Sequence, residues 1–112
     1  MGRQDELLRT AGAKLDAIEA EMRKVSVWSP KPLASEKMNF REPFGMDTMS
    51  FTEWLQFVFM PRARAAAQSG QFPKGWGVAT ISAREFDGMP EFGRLTELLS
   101  DFEAWVNAGA PV

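Results

Sequence analysis

Apolar residues recur along this chain with helical spacing. Leu8, Ala11, Leu15, Ile18, Met22 and Val25 step by 3, 4, 3, 4 and 3 residues. That alternation is an a/d seam and predicts a helix over 4–25, with Asp5, Glu6, Arg9, Asp16, Glu19 and Arg23 on its outer face. The seam covers too few heptads for an extended coiled coil and suits a bundle helix. Gly12 weakens it by about 1 kcal/mol and leaves room for a close neighbour. Ser29-Pro30-Lys31-Pro32 then breaks the pattern, because two prolines remove donors and push their predecessors to extended backbone. The segment 26–49 still carries Leu33, Met38, Phe40, Phe44 and Met46. It is therefore expected to be ordered and packed on the bundle.

The second helix has a marked start. Ser50-Phe51-Thr52-Glu53 is a capping box, and Met49 and Trp54 hold the staple positions around it. Phe51, Trp54, Leu55, Val58, Arg62 and Ala65 lie on one face, with Phe57 and Met60 off it and Phe59 beside it. A helix apolar nearly all round is a central one, and Gln56 is the polar exception before the proline. Pro61 deletes a donor opposite the Phe57 carbonyl and predicts a kink. The Arg62–Ala67 run carries the helix to about Gln68, where Ser69-Gly70 ends it. Residues 71–77 form a turn-rich link whose Phe72 and Trp76 fold back on the bundle. Residues 78–86 read as a short helix stopped by Asp87-Gly88. Pro90 opens the last helix, with Phe92, Leu95, Leu98, Leu99, Phe102 and Val106 as its buried stripe and Gly109 and Pro111 beyond its end. The expectation is an all-α fold, one domain over 1–112, a roughly antiparallel bundle of about four helices around the kinked helix 50–68.

Length agrees with one domain, since 112 residues bury enough surface to need no staple. No run of eighteen apolar residues is present, and the start lacks the pattern of a secretory or myristoylation signal. A cytoplasmic location without membrane attachment is the expectation.

Composition narrows the chemistry further. The chain has no Cys, His or Tyr. Thiolate nucleophiles, imidazole bases and Ser–His or Cys–His catalysis are excluded, and zinc and haem lose their usual ligands. No metal or cofactor is implied and no catalytic motif stands out. The net charge of −2 is unevenly spread: residues 22–41 sum to +4 and 54–84 to +4, whereas 85–112 sum to −5. A basic face would form if Arg23, Lys24, Lys31, Lys37 and Arg41 met Arg62, Arg64 and Lys74. The plainer reading is solvated charge.

The remaining candidates are few. Asp47, crowded by apolar neighbours, is either a carboxylate in an apolar pocket or an Asx-turn acid accepting backbone amides. Trp28 is a core plug or a binding aromatic, and Trp76 raises the same choice. Arg62 and Arg64 pair with acids or contact a phosphate, and Arg62 is expected to meet an acid of the last helix or solvent. Glu91, Glu97, Asp101 and Glu103 read as a solvated acidic face, with Glu97 and Asp101 one turn apart.

Pro43-Phe44, Met46-Asp47-Thr48-Met49, Glu53-Trp54-Leu55-Gln56, Val58 and Pro61-Arg62 together resemble the signature of the YqcC-like family of small bacterial proteins. The resemblance is clear over 43–64, looser over the first and last helices and weakest over 70–90. It implies an all-helical bundle and carries no catalytic residues. Some members are encoded beside a tRNA pseudouridine synthase and share its name. Such a synthase is a larger, sheet-based enzyme, so Asp47 does not stand for its catalytic aspartate. The first expectation is a non-catalytic interaction protein, an accessory to an RNA-modifying enzyme. Two others stay open: an RNA-binding module using segments 22–41 and 62–84, and a small-molecule binder with Asp47 in an apolar pocket. Trp28, Asp47, Gln56, Arg62, Arg64 and Trp76 are the candidate binding residues.

Overall fold

The computed structural model describes residues 2–112 and is all-helical, with no strand among them. Helix α1 spans Arg3–Lys24. Helix α2 covers 51–69 in three sections: α-helical Phe51–Trp54, a π-turn at Leu55–Phe59, and α-helical Met60–Ser69. Helix α3 is Val78–Glu85, and α4 is Gly93–Asn107, entered through a 3-10 turn at Pro90–Phe92. These four helices form a small bundle. Helices α1 and α2 run antiparallel: Gln4 Nε2 donates to the Gln68 carbonyl at 3.0 Å, and Arg64 reaches Asp16 at 2.9 Å. Helices α3 and α4 are also antiparallel, with Val78 beside Glu103 and Ser82 beside Thr96. Helix α1 packs on α4 as well as α2. Leu15, Ile18, Met22, Leu55, Phe59, Leu95, Leu99 and Phe102 meet in the core.

The capping box forms as its residues dictate. Ser50 Oγ accepts from the Glu53 amide at 3.1 Å, and Glu53 Oε1 accepts from the Ser50 amide at 2.9 Å. Met49 and Trp54 are both buried. At the far end Gly70 takes the left-handed conformation, φ 78°, that closes a helix without a Cβ clash.

Between these ends the helix departs from the regular expectation. The distortion that Pro61 demands is taken up one turn earlier. The Met60 amide bonds the Leu55 carbonyl, five residues back, in place of the usual four. Proline has no amide to donate and its ring crowds the carbonyl four residues before it, so a widened turn there relieves both conflicts. A π-turn holds one extra residue, and every position after it falls about 100° out of phase with an uninterrupted helix. Arg62 and Ala65, expected on one face with Phe51, Trp54, Leu55 and Val58, are exposed, whereas those four are buried. Their neighbours Ala63 and Ala66 take their places, and Ala63 is 0% exposed.

In α1 the buried stripe is Leu7, Ala11, Leu15, Ile18 and Met22. Leu8, expected on the seam, is 42% exposed, and Val25 lies past the helix end, half-buried. A straight helix turns every 3.6 residues, so a strict 3.5-residue seam drifts off the contact line and the stripe begins one residue earlier. In α4, Leu95, Leu99, Phe102 and Val106 are buried, whereas Phe92 and Leu98 are half-buried.

Candidate interaction surface

The segment 26–49 is pinned by side chains rather than by regular structure. Gln56, buried in the first half of α2, turns its amide on the main chain of Ser29. Its Oε1 accepts from the Ser29 amide and its Nε2 donates to the Ser29 carbonyl, both at 2.8 Å. That latch sets Trp28, half-buried against the core, beside the end of α1. The Arg23 guanidinium lies 5.0 Å from the Trp28 ring centroid. Arg23 also pairs with Glu19 at 2.9 Å, and Glu19 shares Arg64 with Asp16, at 3.4 and 2.9 Å. Trp28 is thus linked to Gln56 through the adjacent Ser29, and to Arg64 through Arg23 and Glu19. These ion pairs are half-exposed and contribute little stability each, of order 0.2–1 kcal/mol.

The other candidates lie elsewhere. Arg62 is exposed on the outer side of α2 and makes no ion pair among the described residues. Trp76 is half-buried, its ring 5.2 Å from Phe59 and 6.2 Å from Phe102. Asp47 does not sit in an apolar pocket. It is exposed, and its carboxylate accepts from the Arg41 amide at 2.9 Å and the Glu42 amide at 3.3 Å. The Arg41 amide bond, chiefly, holds its pKa below the usual 3.8; desolvation opposes it, and the Glu42 amide bond adds a smaller lowering.

Lys74 lies far from Arg23, so the eight basic residues do not all gather on one face. Arg23, Lys37 and Arg64 are each paired with acids, Lys37 with Glu53 at 3.1 Å. Lys74 lines a hollow of about 450 Å3 with Arg3 at the start of α1, whereas Arg23 lies twenty residues further on, roughly 30 Å along the helix.

One acid was misplaced by sequence reasoning. Glu103, expected on a solvated face, is buried and caps α3. It accepts from the Val78 amide at 3.1 Å and the Ala79 amide at 3.0 Å. The residue before α3 is Gly77, which has no side chain to cap with. That gap was the available signal that a cap must come from elsewhere.

What sequence reasoning missed most is the exposed part of the 43–49 motif. Asp47 ties down 41–42, and Thr48 Oγ1 donates to the Lys37 carbonyl at 2.6 Å. Met49 is buried against Gly45, whose φ of 62° suits glycine. Phe44 also has a positive φ, 59°, unusual for a bulky residue, and its ring packs edge-on to Trp54 at 5.0 Å. Each of these holds the loop 37–48 in place. Met46 does none of this and is 48% exposed, and Met38 in the same loop is 47% exposed. The staple position marks Met49 for burial, whereas Met38 and Met46 read from the sequence as packed apolar residues of the segment 26–49.

Fold and surface together define a small all-helical protein whose most distinctive residues build a fastened surface loop. The chain belongs to the family described as tRNA pseudouridine synthase C (DUF446), which matches residues 10–105. It is 37% identical over 91 residues to an uncharacterized protein of Haemophilus influenzae, covering 80% of this chain and 83% of that one. It is 36% identical over 67 residues to the uncharacterized protein YqcC of Escherichia coli, covering 59% and 62%. It is 38% identical over 72 residues to a Pectobacterium carotovorum protein named tRNA pseudouridine synthase C. That match covers 63% of this chain but 19% of the Pectobacterium protein. No solved structure matches. The YqcC-like resemblance read from residues 43–64 is thereby borne out. No helix among the described residues is long and apolar enough to cross a membrane.

Proposed function

We propose that this protein is a non-catalytic accessory that docks on an RNA-modifying enzyme through the loop 37–48, a tRNA pseudouridine synthase being the partner. The observation that carries this is the division of labour in the motif. Phe44, Asp47, Thr48 and Met49 hold a rigid loop, and Met46 and Met38 stand out from it. Methionine adapts its unbranched side chain to a partner's surface, and a loop ordered in advance binds at lower entropic cost. Two further points support a non-catalytic role. The Asp47 carboxylate is engaged by backbone amides, and the buried Glu103 carboxylate is engaged by two more. The partner class rests on the Pectobacterium protein. The region like this chain makes up 19% of it, and the rest of a protein with the synthase name lies outside that region. A helical unit carried within such a chain is the arrangement expected of an accessory that works beside the enzyme.

The test uses the purified protein and the purified tRNA pseudouridine synthase of the same organism, treated with ribonuclease, in sedimentation velocity. A complex is expected, weakened roughly tenfold or more when Met38 and Met46 are both replaced by Ser. Absence of a complex overturns the proposal. Salt-sensitive binding of tRNA to the protein alone, without the synthase, would favour the RNA-binding reading instead.

A further inference from the structure

A second feature lies next to the loop and plays no part in the reading above. The chain turns from α3 into α4 around an open trough of about 470 Å3. Its floor is Phe86 and Phe92, stacked with centroids 4.4 Å apart, and Met89 stands over it, 45% exposed. Phe86 rests on Phe51, the same ring that Phe44 touches at the base of the loop. The trough and the loop therefore flank one aromatic side chain. The only charged residue in the trough's lining is Asp87, and Glu85 and Glu91 are exposed beside it. Of the two cations nearby, Arg94 is held by Glu97 at 3.2 Å, which leaves Arg84 against three acids.

We infer that this trough docks a basic segment of a partner protein that presents an apolar side chain to Phe86, Met89 and Phe92. An apolar floor supplies the anchor and the acidic rim supplies sign. The same rim repels nucleic acid and anionic lipid surfaces. A basic segment also fits the partner class proposed above, because proteins that bind tRNA carry excess positive charge. The inference rests on that reading for the partner's identity, not for the trough's chemistry.

The test titrates the isotope-labelled full chain with a short amphipathic peptide of leucine and lysine, and with its leucine–glutamate counterpart, following backbone amides by NMR. The lysine peptide is expected to shift residues 83–96 and the glutamate peptide to leave them unmoved. Asp87→Lys should weaken the lysine peptide by roughly tenfold at low salt, and Met89→Ser should weaken it at low and high salt alike. Both residues are exposed, so the variants are expected to keep the wild-type spectrum elsewhere. Equal binding of both peptides, shifts centred outside 83–96, or self-association through the trough would overturn the inference. Against the synthase, loss of the complex in the Met38/Met46 variant with retention in Asp87→Lys leaves the accessory role standing and removes the trough. Peptide binding at 83–96 without any synthase complex does the reverse.

Discussion

The side-chain amide of Gln56 closes both main-chain groups of Ser29, accepting from its amide and donating to its carbonyl at 2.8 Å each. The one buried polar residue of α2 thus bonds a stretch of chain 27 residues earlier. The pairing stands in for a rung of regular structure where Pro30 and Pro32 preclude it. Replacing Gln56 by Leu keeps the volume and strands two backbone groups. The expected loss is about 1–3 kcal/mol, measured by urea unfolding with an unchanged slope. A loss confined to a few tenths would mean that water replaces the amide there.

Glu103 acts on α3 as Ser50 acts on α2, from another helix. Glu103→Ala should cost about 1–2 kcal/mol, within the range for a lost cap. The effect should be local. Hydrogen exchange at Val78 and Ala79 should speed up more than at Leu15 or Ile18, whose protection tracks global unfolding.

The π-turn can be tested by a pair of neighbours. Arg62→Leu puts a large apolar residue where an uninterrupted helix would bury it, and stability should move by less than about 0.5 kcal/mol. Ala63→Leu overfills the α1–α2 contact and should cost about 1–3 kcal/mol. The reverse order would place the register of α2 back on the regular helix.

Acid should loosen the loop 37–48 before the core. Asp47 is held below its usual pKa of 3.8, chiefly by the Arg41 amide. Glu53 is held below 4.5, first by the Ser50 amide, then against desolvation by Lys37. Carboxylates whose folded pKa is depressed contribute stability above the unfolded value and lose it as pH falls through the folded one. The stability gap between the wild type and Asp47→Asn should be full near neutrality and shrink below about pH 4, read from unfolding curves across pH. A gap that persists at pH 2 would show that the Asp47 contacts do not depend on its charge.

Much of the fold was legible along the chain. The capping box at Ser50, the stop at Gly70, the short helix at 78–85 and the all-helical architecture depend on residues within a turn or two of each other. Neighbours in sequence settle such choices through local sterics and hydrogen bonds. The turn role of Asp47 belongs with them, since its partners Arg41 and Glu42 lie six and five residues away.

Other features were not legible, for one physical reason. Whether a polar group is buried depends on partners that only folding brings near. Glu103 looked like one more acid on a solvated helix, and its burial is decided by two amides 25 and 24 residues before it. Arg62 and Ala65 lost their places on the core face because the conflict at Pro61 was resolved by widening a turn, a choice that packing makes. Met38 and Met46 read as packed apolar residues of the segment 26–49, yet both are bare. By itself the sequence determined the helices, the cap at Ser50, most of the buried stripes of α1 and α4, and the family. Tertiary structure alone decided the register of α2 beyond Pro61, the burial of Glu103 and the exposure of Met38 and Met46, because each depends on neighbours that only folding brings near.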